Sequence, residues 1–324
     1  MTRSSSPKPG RPCGAATRRS RCLGDWAVRS VSRGFALAIV ALVAGLALTL
    51  AWHSRLALAA FGLPFLWGTT WDPVTETFGA LPFLYGTLVT SAVGMTLAVP
   101  LGLGTAIFLA ELAPARLSDL LAFLVELLAA IPSVIYGLVG IFVVVPWVRT
   151  VVEPALSRSV GWLPLFRGAP YGVGMLTAGI ILAAMIVPFI TIVSREVLLA
   201  VPRTQREAAL ALGATHWETV WTAILPYARS GLAGSVFLAL ARALGETMAV
   251  TMVIGNRPEI HASLFEPGYT MAALLANEFT EATSDLYLHA LVEIGLVLFG
   301  VTMLINGVAR LWLRRMGQGL EVRA

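Results

Sequence analysis

Apolar residues along this chain fall into six long runs separated by clusters of charge. Gly34 to Trp52, Thr77 to Ala110 and Gly168 to Ser194 carry no charged side chain. Leu120 to Trp147 carries Glu126 alone, Ser230 to Asn256 carries Arg242 and Glu246, and Leu286 to Ala309 carries His289 and Glu293. Crossing a hydrocarbon core takes roughly 20 apolar residues in helix. The pattern therefore predicts an all-α, polytopic membrane protein with six transmembrane helices, at about 34–52, 83–109, 120–146, 171–194, 231–255 and 286–310. Composition agrees: 57% of the 324 residues are hydrophobic and 13% charged, against about 25% charged in an average soluble domain.

Orientation follows from Lys and Arg, which are retained on the cytoplasmic side. With the N-terminus inside, segments 1–33, 111–119, 195–229 and 310–324 hold 17 of the 23 basic residues. Both termini are then cytoplasmic, and the net charge of +5 is a topology signal that calls for no nucleic-acid partner. Residues 1–33 are polar and rich in Pro and Gly, so they read as a disordered basic tail that anionic membrane lipid can hold. Residues 312–324 read as a C-terminal tail. Cys13 and Cys22 lack metal-ligand spacing and have no His cluster beside them. A first apolar run of 19 residues is longer than a signal peptide's, so an uncleaved first helix is expected.

Trp52, Trp67, Trp71, Trp147 and Trp162 fall at or beyond span ends, where the headgroup layer favours their rings. Gly102, Gly104, Gly137 and Gly140 predict close helix packing.

Residues 195–229, the longest inner segment between spans, read as two short helices around a bend. Thr204 and Glu207 have capping-box spacing, Gly213 sits where a helix should end, Trp217 and Trp221 share one face, and Pro226 marks the stop before the next span. Small side chains at Ala208, Ala209 and Ala211 suggest a surface that a partner approaches closely. Glu207, Ala208, Ala209, Gly213, Leu225 and Pro226 resemble, in identity and spacing, the EAA loop of ABC importer permeases. Ala223 departs from the Ile or Val usual there. The resemblance implies a coupling helix that docks on a separate ATPase subunit. The sequence contains no G-x-x-x-x-G-K-[ST] loop to hold nucleotide phosphates, so the chain is expected to be a transporter subunit and not itself an enzyme, with no cofactor or metal site.

An Arg within a span costs roughly 2.5–3.5 kcal/mol on insertion scales, so Arg242 should face the protein interior with a partner. Glu246, one turn on, is expected to pair with it. Spacing leaves two readings open: a structural pair, or a cation beside an anion's path. The run Arg242 to Asn256 (RALGETMAVTMVIGN), together with Phe78 to Phe83, Tyr85 to Thr87, Ala129 to Val134 and Tyr136-Gly137, resembles the PstC-type permeases of bacterial phosphate ABC importers. That resemblance implies phosphate translocation by alternating access, with Arg242 and Glu246 on the pathway. It also implies a PstA-like second permease, two PstB-like ATPase subunits, a PstS-like phosphate-binding protein and a place in the cytoplasmic (inner) membrane. Glu126 and Glu293 have the wrong sign for phosphate and read as structural or gating groups; Asn256 and His289 read as loop or interface residues. The alternatives are a permease for molybdate or sulfate, a component that signals phosphate status, and an ion-coupled carrier.

Overall fold

The structure, a computed structural model, describes residues 15–321. Residues up to Trp52 form one compact unit and those from His53 onward a second. The first consists of α1 (Ala15–His53) almost entirely. It is one unbroken helix, as the bilayer requires of a backbone that must satisfy its own hydrogen bonds. Residues 15–33, expected as part of a disordered tail, continue this helix; the rest of that expected tail, with Cys13, lies outside the described residues.

The second unit opens with α2 (Arg55–Phe61), a short hairpin of β1 (Trp71–Asp72) and β2 (Thr77–Phe78), and α3 (Leu81–Ile107), which runs on through a π-helical turn to Leu112. There follow α4 (Ala115–Ala129), α5 (Ser133–Val139), α6 (Val145–Trp147), α7 (Glu153–Val160), α8 (Met175–Leu199), α9 (Arg203–Ala211), α10 (His216–Thr219), α11 (Leu225–Leu244), α12 (Met248–Ile254), α13 (Met271–Glu278) and α14 (Asp285–Glu321). Residues 312–321, expected as a tail, belong to α14. Among the described residues six helices are long and apolar enough to cross a membrane.

The central crossing is α8: 67% of its most apolar stretch is buried, against at most 28% for any other. Its 25 residues reach about 37 Å at 1.5 Å per residue. Ile181, Leu182, Ile186 and Ile190 form the middle of the main apolar cluster with Ala98, Ala239, Ala243, Val250 and Val253. The approach of α3 needs small residues: a Cβ at Gly102 would stand 2.8 Å from Ile190. Gly104 meets nothing within 4 Å among the described residues, so the packing expected of it is not made there.

With α8 as a ruler, two neighbouring helical paths prove to be broken. Leu109 and Ala122 line one small space with Thr191 and Arg195, at the end of α8 that leads into α9. At the opposite end Gly172 packs on Val145 and Arg149, and Gly174 N–H donates to Val253 O at 3.1 Å. After a break at Ala130–Pro132, α4 is followed by one continuous helical run, Ser133–Val160, in which α5, α6 and α7 are joined by π-helical turns. His216–Leu244, ending in α11, is likewise continuous and is followed, after a break at Gly245–Thr247, by α12. The apolar spans therefore lie at 133–160 and 216–244, where 120–146 and 231–255 are expected. The segments after the two breaks pack together, Gly140 lying against Val253 and Gly137 against Ala249 and Met252.

On the hairpin face, Trp71 Nε1 and Tyr287 OH both donate to Glu278 Oε2, at 2.8 and 2.6 Å. Trp71 also packs edge-on against Phe78 and Phe83, so it is built into the fold and is not a free interfacial anchor. Asn277 Nδ2 donates to Tyr269 OH at 3.0 Å, and burial pushes that phenol up to about 12. The hairpin turn is held by Asp72, whose carboxylate accepts from Thr75 Oγ1 and Val74 N–H and is held below its ordinary pKa mainly by the Thr75 bond.

Candidate functional site

Two places hold the residues singled out in the sequence. The first is the break in α11–α12. Arg242 occupies the last turn of α11, exposed in this chain. Its guanidinium carbon lies 5.9 Å from the ring centroid of Phe189, on α8. That geometry is within cation–π range. Tyr136, on α5, lies within electrostatic reach of Arg242 and anchors its hydroxyl by donating to Leu128 O at 2.8 Å, across the break between α4 and α5.

The pairing expected between Arg242 and Glu246 is not made: among the described residues no carboxylate lies within salt-bridge distance of Arg242. The reason is local. An i, i+4 contact needs continuous helix, and α11 ends at Leu244 with Gly245 as its cap. Glu246 turns instead toward α12, where its carboxylate accepts from Ala249 N–H at a long 3.4 Å. A cation and an anion therefore flank the break without neutralising each other. Phe189 and the break at Pro132 were not singled out from the sequence, and Tyr136 entered only through the family resemblance, without a role at the site. The Pro at position 132 and the Gly-Glu-Thr at 245–247 were the available signals.

Glu126 is exposed on α4 and lines a small space with Arg195. Glu293 is buried on α14, and its Oε2 has no hydrogen-bond partner among the described residues. Asn256 takes a left-handed φ of 51° and donates to Thr251 O at 3.1 Å. His289 Nδ1 meets the carbonyl of His53.

The second place is the loop of α9 and α10. Gly213 has φ of 87°; Gly213 N–H donates to Leu210 O and Ala214 N–H to Ala209 O, at 3.0 and 3.2 Å. This is the Schellman pattern that satisfies the last carbonyls of a helix. The expected capping box at Thr204 and Glu207 does not form, since α9 starts after Pro202 with no side-chain cap. The box is one turn past the bend: Glu218 N–H donates to Thr215 Oγ1, and Thr215 N–H to Glu218 Oε2. Nor does Pro226 stop the second helix. It sits in the first turn of α11, which continues α10 through a π-helical stretch, where the missing Pro N–H is tolerated.

Val220 and Ile224 pack under the loop with Leu198, Val201 and Ala106. Glu207 and Ala208 are exposed, Ala209 less so. Leu212 (90% exposed), Trp217 and Trp221 leave an apolar surface uncovered, and the two indoles pack edge to face with centroids 5.7 Å apart. Leu225 is half-buried and Pro226 exposed.

Six apolar crossings, broken helices around an exposed cation, and a capped helical loop with an uncovered apolar face define a polytopic membrane transport component. The chain belongs to the family described as the binding-protein-dependent transport system inner membrane component, which matches residues 98–320. It is 48% identical over 304 residues to the phosphate transport system permease protein PstC of Mesorhizobium japonicum, covering 93% of each chain. It is 48% identical to PstC of Xylella fastidiosa, covering 87% of this chain and 88% of the relative. Against PstC of Pasteurella multocida the identity is 45%, with 89% and 91% covered. Among solved structures, the fold is similar to the inward-facing MetNI methionine ABC transporter (TM-score 0.53, 18% identity, 76% of this chain and 99% of that one). It is also similar to a bacterial ABC transporter involved in alginate import (TM-score 0.56, 15% identity, 92% and 96% covered).

Proposed function

We propose that the chain is the permease subunit of an ATP-driven phosphate importer in the bacterial inner membrane. The observation that carries this is Arg242, a guanidinium with no carboxylate in salt-bridge distance among the described residues, at a helix break about midway along α8; relatives called phosphate transport permeases at 48% identity supply the cargo. Arg242 attracts the oxyanion, and Glu246, about a turn away in sequence, tempers that attraction so the anion can leave. The pathway is shared with a second, PstA-like permease subunit. Two PstB-like ATPases bind on the cytoplasmic side, and the α9–α10 loop docks on one of them through Glu207, Ala208, Ala209 and the turn at Gly213, with Leu225 and Pro226 joining the loop to α11. A PstS-like protein delivers phosphate at the hairpin face. The loop face and both termini are cytoplasmic, as the Lys and Arg distribution supports.

The role of Arg242 is tested by reconstituting the full complex with Arg242→Gln. Phosphate uptake should fall by at least about tenfold, the equivalent of one charge-assisted contact, while assembly with the ATPase is kept. Uptake at the wild-type rate would overturn the assignment.

A further inference from the structure

α9 has no fully buried residue, so its attachment to the membrane-embedded body cannot come from a core of its own. Much of that attachment is one side chain. Arg206, in the second turn of α9, donates from Nη2 to Glu111 Oε1 at 2.6 Å and from Nε to Glu111 Oε2 at 3.2 Å. The same guanidinium donates from Nη1 to Val201 O at 2.6 Å and from Nη2 to Leu198 O at 2.9 Å. Glu111 lies in the π-helical turn that closes α3. Leu198 lies in the last turn of α8, where carbonyls run short of intrahelical donors and where Val201 N–H also donates to it at 3.2 Å, and Val201 lies just beyond the helix. The ion pair is sheltered, with side-chain exposures of 21% for Arg206 and 10% for Glu111.

The planar fork of Arg makes such an arrangement rigid, with direction as well as charge fixed. Lys could reproduce the charge but not four simultaneous bonds. Arg206 thus links α9 to the ends of two crossings, one of which is the central α8. The chain itself joins α9 to α8 only through the three-residue joint 200–202, which Arg206 braces, and continues on the other side through α10 into α11.

We infer that Arg206 is a positioning residue for energy coupling: a strut that makes α9 move as one body with α3 and α8, so that displacement imposed on the loop reaches the α8 side of the pathway as well as α11. Without it the 200–202 joint could bend, so loop motion would reach α11 through the chain while α3 and α8 lag. The inference rests on the reading that the ATPase docks on this loop.

The test uses the complete complex of both permeases, the ATPases and the phosphate-binding protein in proteoliposomes, measuring phosphate taken up per ATP hydrolysed. Arg206→Ala should still copurify with the ATPase and hydrolyse ATP, but uptake per ATP should fall about tenfold, within the range seen for residues that carry coupling without touching ligand. Arg206→Lys should recover part of the loss, and Glu111→Gln should lose less than Arg206→Ala because the two carbonyl bonds remain. An unchanged ratio in Arg206→Ala would overturn the inference. Loss of the ATPase from that variant would also overturn it, by making Arg206 a docking contact. Failure of the docking reading itself is distinguishable, since the unsubstituted chain would then not copurify with the ATPase.

Discussion

Replacing Glu278 by Ala should loosen the hairpin face more than any single apolar contact there. The carboxylate accepts from Trp71 Nε1 at 2.8 Å and Tyr287 OH at 2.6 Å, and Tyr287 is only 5% exposed. Removing the acceptor leaves two donors unpaired, one of them buried. Hydrogen bonds to a charged group contribute about 1.5–3 kcal/mol each; because Trp71 is half-exposed and water can replace part of its bond, a net loss of about 3 kcal/mol is expected. For a chain of 324 residues that corresponds to a fall in Tm of about 4–5 °C. Glu278→Gln keeps an acceptor oxygen but loses the charge, so about half the fall is expected. The assay is thermal unfolding of the purified chain in detergent, with both variants at one protein concentration. A Glu278→Ala transition within about 1 °C of the unsubstituted chain would refute the network as a source of stability.

Gly140→Leu places a Cβ 2.7 Å from Val253; overpacking of this kind costs about 1–3 kcal/mol, and a lowered Tm with reduced uptake is expected because α5 and α12 would be forced apart. Gly213→Ala meets no neighbouring atom but strains a φ of 87° by about 1–2 kcal/mol, so faster hydrogen exchange at residues 209–214 is expected without loss of membrane insertion. Thr215→Ala removes the capping box at about 1 kcal/mol and should raise exchange in the first turn of α10, leaving α9 unaffected.

The six-crossing architecture was legible because it rests on long uncharged runs, a signal that tertiary contacts do not alter. The bend at Gly213 was legible for a similar reason: positive φ restricts the residue at that one position. What hydropathy missed were the breaks at Pro132 and Gly245, because apolar runs continue across both and their mean does not register a lost backbone bond. That omission produced the mistaken Arg242–Glu246 pair, whose i, i+4 spacing presumed helix through Gly245. Thr204 and Thr215 each precede a Glu at capping-box spacing, and only the structure distinguishes them: Pro202 starts α9 before Thr204 can cap it. The Arg206–Glu111 pair is separated by 95 residues, a contact that no local pattern encodes. For Trp71 the sequence shows a position near a span end, which favours an interfacial ring, but not its partner Glu278.

The most direct test of the phosphate-importer reading is uptake of labelled phosphate into proteoliposomes holding this chain with its second permease, ATPases and phosphate-binding protein. Accumulation that requires hydrolysable ATP and is unaffected by excess sulfate or molybdate is predicted. Accumulation of sulfate or molybdate in place of phosphate, or phosphate uptake that proceeds without ATP, would contradict it.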